Sequence, residues 1–103
     1  MKTLVNRIKE CIERKWDEGY REFIIYPFGE TGLQVKHILN DIYGVMESYI
    51  IDNHLYKYNP VVRPLSFLEN INCDSYCLIM ASINSDIYQE LKSNVKKYFQ
   101  KII

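Results

Sequence analysis

The ten residues from Phe23 to Gly32, FIIYPFGETG, constrain the fold of this chain more than any other stretch. An apolar run, Phe23 to Tyr26, stops at Pro27 and is followed by a glycine-containing turn and then by helical periodicity. This order predicts a strand, a tight turn and a helix. In parallel α/β sheets such a turn commonly holds phosphate groups, because the helix start presents free backbone N–H groups and a positive dipole end. We therefore expect a ligand site beside this turn.

Length and charge limit the classes of protein to which the chain belongs. Its 103 residues suit one domain, and its 13 basic and 13 acidic residues give no net field that would favour nucleic acid or an anionic membrane. No segment approaches the ~18 apolar residues of a membrane span, and the N-terminus lacks the apolar core of a signal peptide. The three cysteines are odd in number, which favours reduced thiols. We expect a cytoplasmic protein with no nucleic-acid partner and no membrane span.

Apolar periodicity predicts the elements on either side of the central turn. Residues Leu4 to Trp16 repeat at three and four, as in an amphipathic helix, and Gly19 follows as a helix end. After Gly32 a second helix is expected, followed by a strand over Val45 to Ile51 because that run is rich in β-branched and aromatic residues. Strand, turn, helix and strand together form a right-handed βαβ unit.

The second half of the chain predicts two further strands and a last helix. Val61 and Val62 lie between two prolines, which confines a strand there to the edge of a sheet. Tyr76 to Ala81 is an apolar run of strand length, and the last helix repeats its apolar residues from Ile87 to Ile102. The lysines of that helix are interpreted as complements of its dipole rather than as a nucleic-acid patch.

These elements predict an α/β fold with an open, Rossmann-like parallel sheet of about four strands, helices on both faces and an extra N-terminal helix. The simplest strand order is 3-2-1-4. Residues 1–20 are expected to form a helix that packs on the domain, and residues 21–103 the α/β domain, as a single domain overall. The runs Phe23 to Tyr26 and Tyr76 to Ala81 are expected to be adjacent, parallel and central, because both are continuously apolar.

The candidate site follows from this strand order, since carboxyl ends of parallel strands meet at one edge of the sheet. Gly29 and Gly32 match the second and third glycines of the dinucleotide-binding pattern G-x-G-x-x-G, and Asp52 stands where an acid accepts from ribose hydroxyls. Pro27 replaces the first glycine, and Glu30 places a carboxylate near the helix start, so binding is expected to be weak. The predicted cofactor-binding residues are Gly29, Glu30, Thr31, Gly32, Asp52, Asn53, Ser82 and Asn84.

Four stretches together carry a resemblance to a known kind of domain: IIYPFGETGLQVKHIL, YIIDN, VVRPLSFLEN and DSYCLIMAS. Over roughly residues 22–100 the chain resembles the small Rossmann-like domains of the nucleotide-sugar epimerase type that accompany methyltransferases and glycosyltransferases of bacterial surface-glycan biosynthesis. The resemblance implies NAD(P) or a nucleotide sugar as the ligand. Members of this group usually have a glycine where this chain has Pro27, which bears on phosphate binding in particular.

Two functions remain open at this stage. The first is an accessory or binding domain of a sugar-modifying pathway, with a weak nucleotide or nucleotide-sugar pocket and no activity in this chain alone. The alternative is a cofactor-holding fragment of an NAD-dependent nucleotide-sugar epimerase or dehydrogenase, or of a sugar methyltransferase. A second copy of the chain and a larger glycan-modifying enzyme are both open as protein partners.

No catalytic residue and no metal site is predicted from the sequence. Tyr88 and Lys92 have the Y-x-x-x-K spacing of short-chain dehydrogenases, but such a pair occurs further along a longer chain, so the match is interpreted as coincidence. Cys73 and Cys77 lack the second ligand pair that a zinc site needs.

Overall fold

The computed structural model describes residues 3–80 and 85–99 and contains a four-stranded sheet in the order β3-β2-β1-β4. The strands are β1 (Phe23–Tyr26), β2 (Tyr49–Ile51), β3 (Val62–Arg63) and β4 (Cys77–Met80). All three pairings are parallel, and Ile25 of β1 lies between Ile50 of β2 and Ile79 of β4. The predicted α/β class, the open parallel sheet and the strand order are confirmed.

Helices flank the sheet. They are α1 (Leu4–Asp17), α2 (Glu30–His37), which continues as a π-helical turn over Ile38–Ile42, and α3 (Ser85–Val95). Three short 3₁₀ turns, Leu55–Lys57, Leu65–Asn70 and Cys73–Ser75, connect the strands of the second half. The Thr3 hydroxyl caps α1 by accepting from the Asn6 amide at 3.1 Å. Gly19 follows α1 with φ of 106°, a conformation that favours glycine.

Two hydrophobic cores cover opposite faces of the sheet, because successive side chains of a strand point to opposite sides. Phe23 and Ile25 of β1 belong to one core, and Ile24 and Tyr26 to the other. The first core is completed by α1, by α2 with its π-helical turn and by β4, through Ile8, Ile12, Val35, Ile38, Leu39, Cys77 and Ile79. The second takes in β2, the Leu65–Asn70 turn, β4, α3 and the residues after it, through Ile51, Leu68, Leu78, Met80, Val95 and Phe99. Helices on both faces were predicted, and this is confirmed.

The second strand is shorter than predicted. Pairing in β2 begins at Tyr49, whereas Val45 to Ser48 were expected to belong to the strand. The Val45 N–H donates instead to the Leu39 carbonyl at 2.9 Å, and Glu47 turns its carboxylate toward Lys36. The residues before Tyr49 therefore close the end of the helix.

The prediction that both apolar strands are central is wrong for β4, which lies at the edge of the sheet. All four of its residues are buried, because helices cover both faces of this strand. A continuous apolar run therefore indicates that both faces of a strand are covered. It does not indicate whether the strand has one neighbouring strand or two. Ala81, the last residue of the predicted strand, lies outside the described residues.

The N-terminal helix packs on the sheet, with Ile8 and Ile12 buried in the first core. Trp16 ends the apolar repeat of this helix, but it is 39% exposed, and the Arg21 guanidinium lies 3.8 Å from its ring centroid. The last helix ends at Val95, before its predicted repeat is complete, and Ile102 lies outside the described residues. Among the helices of the described chain, none combines the length and apolar character needed to cross a membrane.

Candidate functional site at the carboxyl edge of the sheet

The glycine turn joins β1 to α2 through a cis Tyr26–Pro27 peptide bond. A Cβ on Gly32 would lie 2.6 Å from the Pro27 carbonyl oxygen, whereas a Cβ on Gly29 would meet nothing within 4 Å. Gly32 is therefore required by the close approach of α2 to the turn. Gly29 is the N-cap residue of α2, with no side chain to cap it, and it faces open space.

Two polar residues between these glycines lie in the first turn of α2. Glu30 is exposed and Thr31 is half-buried. The Glu30 carboxylate lies where the helix dipole favours negative charge, so an incoming phosphate would meet a carboxylate at this end of the helix.

Asp52, directly after β2, is buried and accepts three backbone hydrogen bonds. Its Oδ2 accepts from the Phe28 N–H of the glycine turn at 2.9 Å. Its Oδ1 accepts from the N–H groups of His54 and Leu55 at 2.8 and 2.9 Å. The carboxylate thus fixes two loops to each other, and a ribose bound here would have to share it.

The other predicted site residues are placed less completely. Asn53 is exposed, and its Oδ1 accepts from the Leu65 N–H at 2.7 Å, which holds the loop after β2 against the Leu65–Asn70 turn. Ser82 and Asn84 lie outside the described residues. The structure therefore brings together the glycine turn and Asp52 through a hydrogen bond, with Asn53 beside them.

An open cleft of about 550 Å³ begins at Asn53 and runs between the loops after β2 and β3 and the end of α3 with the turn that follows it. It is lined by Asn53, Tyr56, Lys57, Pro64, Leu65, Ser66, Asn94, Lys97 and Tyr98. Among the described residues, this lining contains two lysines and no acidic side chain. We call this the carboxyl-edge cleft, and its volume falls within the ~300–1,000 Å³ typical of small-molecule sites.

The carboxyl-edge cleft is connected to β1 through Tyr26. The hydroxyl of Tyr26 is hydrogen-bonded to the Asn94 side chain. Burial raises the pKa of Tyr26 more than this hydrogen bond lowers it, and the nearby charges of Asp52 and Glu90 raise it further. The tyrosine therefore stays protonated at neutral pH.

The sequence reasoning missed most of the cleft. Lys57 and Ser66 belong to segments that read only as irregular loop, and Lys97 was interpreted as a complement of the helix dipole. The lysines of the last predicted helix could have suggested an anion site. The sequence does not show which of them lies at the sheet edge, because that depends on how α3 packs.

Cys77 lies in β4, within the first core. Burial raises the pKa of the Cys77 thiol to about 12, with the Lys15 charge opposing it, so this cysteine is not a thiolate at neutral pH. No group of three or more His, Cys, Asp or Glu side chains within residues 3–80 and 85–99 is arranged to hold a metal ion.

Comparison with known proteins gives no match to this chain. The chain matches no protein-family model, and no curated protein or solved structure matches it.

Proposed function

We propose that this chain is a Rossmann-like binding module that takes an anionic, nucleotide-like ligand at the carboxyl edge of its sheet. The observation that carries the proposal is the carboxyl-edge cleft, whose lining includes Lys57 and Lys97 but no acid. Lysine ammonium groups are common phosphate ligands, and among the described residues that line the cleft no carboxylate competes with an anion for these lysines.

The remaining lining residues suit the uncharged part of such a ligand. Tyr56 is 38% exposed and offers an aromatic surface for a base or a sugar ring. Asn94 and Ser66 supply amide and hydroxyl groups for hydrogen bonds. The ligand class is therefore a nucleotide or a nucleotide sugar, and the chain acts as an accessory domain in a sugar-modifying pathway, as its resemblance to glycan-biosynthesis domains implies.

The cleft is a better place for the phosphates than the glycine turn, where the sequence pattern predicts them. With Glu30 at the start of α2 and Asp52 committed to three backbone N–H groups, the glycine turn offers a poor place for phosphate. Lys57 and Lys97 line the cleft together with Asn53, so we place the phosphates of the ligand in the cleft and its neutral part toward the turn.

Calorimetry with UDP, UDP-glucose, NAD and inorganic pyrophosphate tests the proposal. We expect the uridine compounds to bind with a Kd on the order of 0.1–1 mM, because the cleft is open and only partly encloses a ligand. Preference for NAD over the nucleotide sugars would favour the alternative of a cofactor-holding fragment. If neither nucleotide nor pyrophosphate binds at millimolar concentration, the proposal is wrong.

Variants locate the binding. Lys97→Ala is expected to weaken binding about fivefold through loss of one charged hydrogen bond, whereas Lys96→Ala, an exposed neighbour outside the lining, should leave the Kd unchanged. Pro27→Gly combined with Glu30→Gln tests the glycine turn. Stronger binding by this double variant with no effect of Lys97→Ala would place the phosphates at the turn instead of the cleft.

A further inference from the structure

A second pocket lies on the opposite face of the sheet, between α1 and the segment that follows α2. It has a volume of about 170 Å³ and is lined by Ile12, Glu13, Trp16, Asp17, Tyr43 and Val45. A cavity of ~150 Å³ suffices to bind benzene in an apolar protein interior, so the space admits one small organic group. We call it the α1 pocket.

The charge of the α1 pocket is opposite to that of the carboxyl-edge cleft. Its lining contains two carboxylates, Glu13 and Asp17, and no basic side chain. The Oε2 atom of Glu13 accepts from the Tyr43 hydroxyl at 2.6 Å, which fixes this carboxylate at the wall. For the Asp17 carboxylate, no hydrogen bond or ion pair occurs within residues 3–80 and 85–99. A cation placed in the pocket would gain two nearby negative charges.

The aromatic wall of the pocket already binds a cation within the protein. The Arg21 guanidinium lies 3.8 Å from the Trp16 ring centroid and is held there by the carbonyl oxygens of Trp16 and Tyr20, at 2.7 and 2.9 Å. The faces of indole and phenol rings attract cations through their quadrupoles. Because Arg21 already covers the Trp16 ring, the Tyr43 ring is the aromatic group of the lining that adds to the attraction of the carboxylates for a cation.

We propose that the α1 pocket binds a small organic cation, namely an ammonium or guanidinium group on a short apolar body. The apolar body lies on Ile12 and Val45, and the charged head lies between Glu13 and Asp17. The opposite charge and the opposite face of the sheet separate this site from the nucleotide-like site, so either one can exist without the other.

Trp16 is the only tryptophan of the chain, so its fluorescence reports on this pocket alone. Titrations use phenethylamine and butylguanidine, with 2-phenylethanol as the neutral isostere and 3-phenylpropionate as the anion. We expect saturable changes with the two cations at a Kd on the order of 1 mM, because few atoms of so small a ligand make contact. No saturable change is expected with the alcohol or the carboxylate. Backbone amide NMR shifts around Glu13 and Tyr43 provide a second reading that does not depend on quenching.

Matched variants test the charge recognition. Glu13→Gln with Asp17→Asn removes both charges from exposed helix positions and should weaken cation binding by about tenfold. Glu69→Gln is the control, since Glu69 also accepts from a tyrosine, Tyr98, at 3.0 Å but lies outside the pocket lining. Equal binding of cation and alcohol, an unchanged Kd in the double variant, or no binding by either cation would each overturn the proposal.

Discussion

The Asp52 carboxylate accepts a hydrogen bond from the Phe28 N–H across 24 positions of sequence, at 2.9 Å. This contact joins the end of β2 to the glycine turn after β1. Because the same carboxylate accepts from His54 and Leu55, one buried acid orders both loops at the carboxyl edge. The sequence pattern predicts that this acid binds a ribose, and the geometry gives it a structural role.

Replacing Asp52 is therefore expected to cost stability independently of any ligand. In Asp52→Ala three backbone N–H groups lose their acceptor, which should lower the free energy of unfolding by about 3 kcal/mol. Asp41→Ala is a matched control, since Asp41 is an exposed carboxylate paired only with His37, and its change should stay within about 0.5 kcal/mol. Urea denaturation measures both. Equal losses in the two variants would contradict the structural role of Asp52.

The parts of this fold that depend on local sequence patterns could be predicted, and the parts that depend on tertiary contacts could not. Periodicity and turn chemistry are local, so β1, the helices and the parallel order could be derived from apolar runs and glycines. The length of β2 could not, because Val45 and Glu47 are engaged by Leu39 and Lys36, contacts that exist only after α2 has packed.

The same distinction applies to the candidate site. The glycine turn and Asp52 belong to one sequence pattern, so their closeness at the carboxyl edge could be predicted. Lys57 and Lys97 come from segments far apart in the chain, and only the packing of α3 on the second core brings them to one cleft. The edge position of β4 was also missed, since burial of a strand's faces does not reveal whether it has one neighbour or two.

The two glycines of the turn should differ in their tolerance of a side chain. In Gly32→Ala the new Cβ would meet the Pro27 carbonyl oxygen at 2.6 Å, so the turn or α2 must shift, at a cost of about 2 kcal/mol. Gly29→Ser adds a side chain in open space at the N-cap of α2 and should change stability by no more than about 0.5 kcal/mol. Thermal or urea unfolding of both variants checks the contrast. A tolerated alanine at position 32 would show that the close approach is not required.

The N-terminal helix should contribute to stability through one face. Ile12 is 1% exposed in the first core, and Ile12→Ala is expected to lower the free energy of unfolding by about 3 kcal/mol. Val5 on the same helix is 40% exposed, so Val5→Ala should cost no more than about 0.5 kcal/mol. Chemical denaturation of the pair measures the difference. Similar small effects of both changes would mean that α1 does not pack on the sheet in solution.

The ion pair between Lys36 and Glu47 should make stability depend on acidic pH. Lys36 Nζ lies 2.7 Å from Glu47 Oε2, and Asn40 Nδ2 donates to Glu47 Oε1 at 3.0 Å. Burial alone would raise the pKa of Glu47, but the hydrogen bonds from Lys36 and Asn40 outweigh it and hold the pKa below the ordinary value of 4.5. A carboxyl group whose pKa is lowered by folding contributes stability above its unfolded pKa, and this contribution is lost as the pH falls through the folded pKa.

We therefore expect Glu47→Gln to be less stable than the wild type by about 1 kcal/mol at pH 7, and the gap to narrow as the pH falls below 4.5. Lys36→Met is the matched variant. It removes the cation whose hydrogen bond and charge lower the pKa of Glu47, so the effect of burial should move that pKa upward. Urea denaturation between pH 3 and 7 gives the stability of each protein, and NMR titration of the Glu47 carboxyl carbon gives its pKa. Parallel stability curves for the wild type and Glu47→Gln across this range would show that the ion pair does not couple to folding.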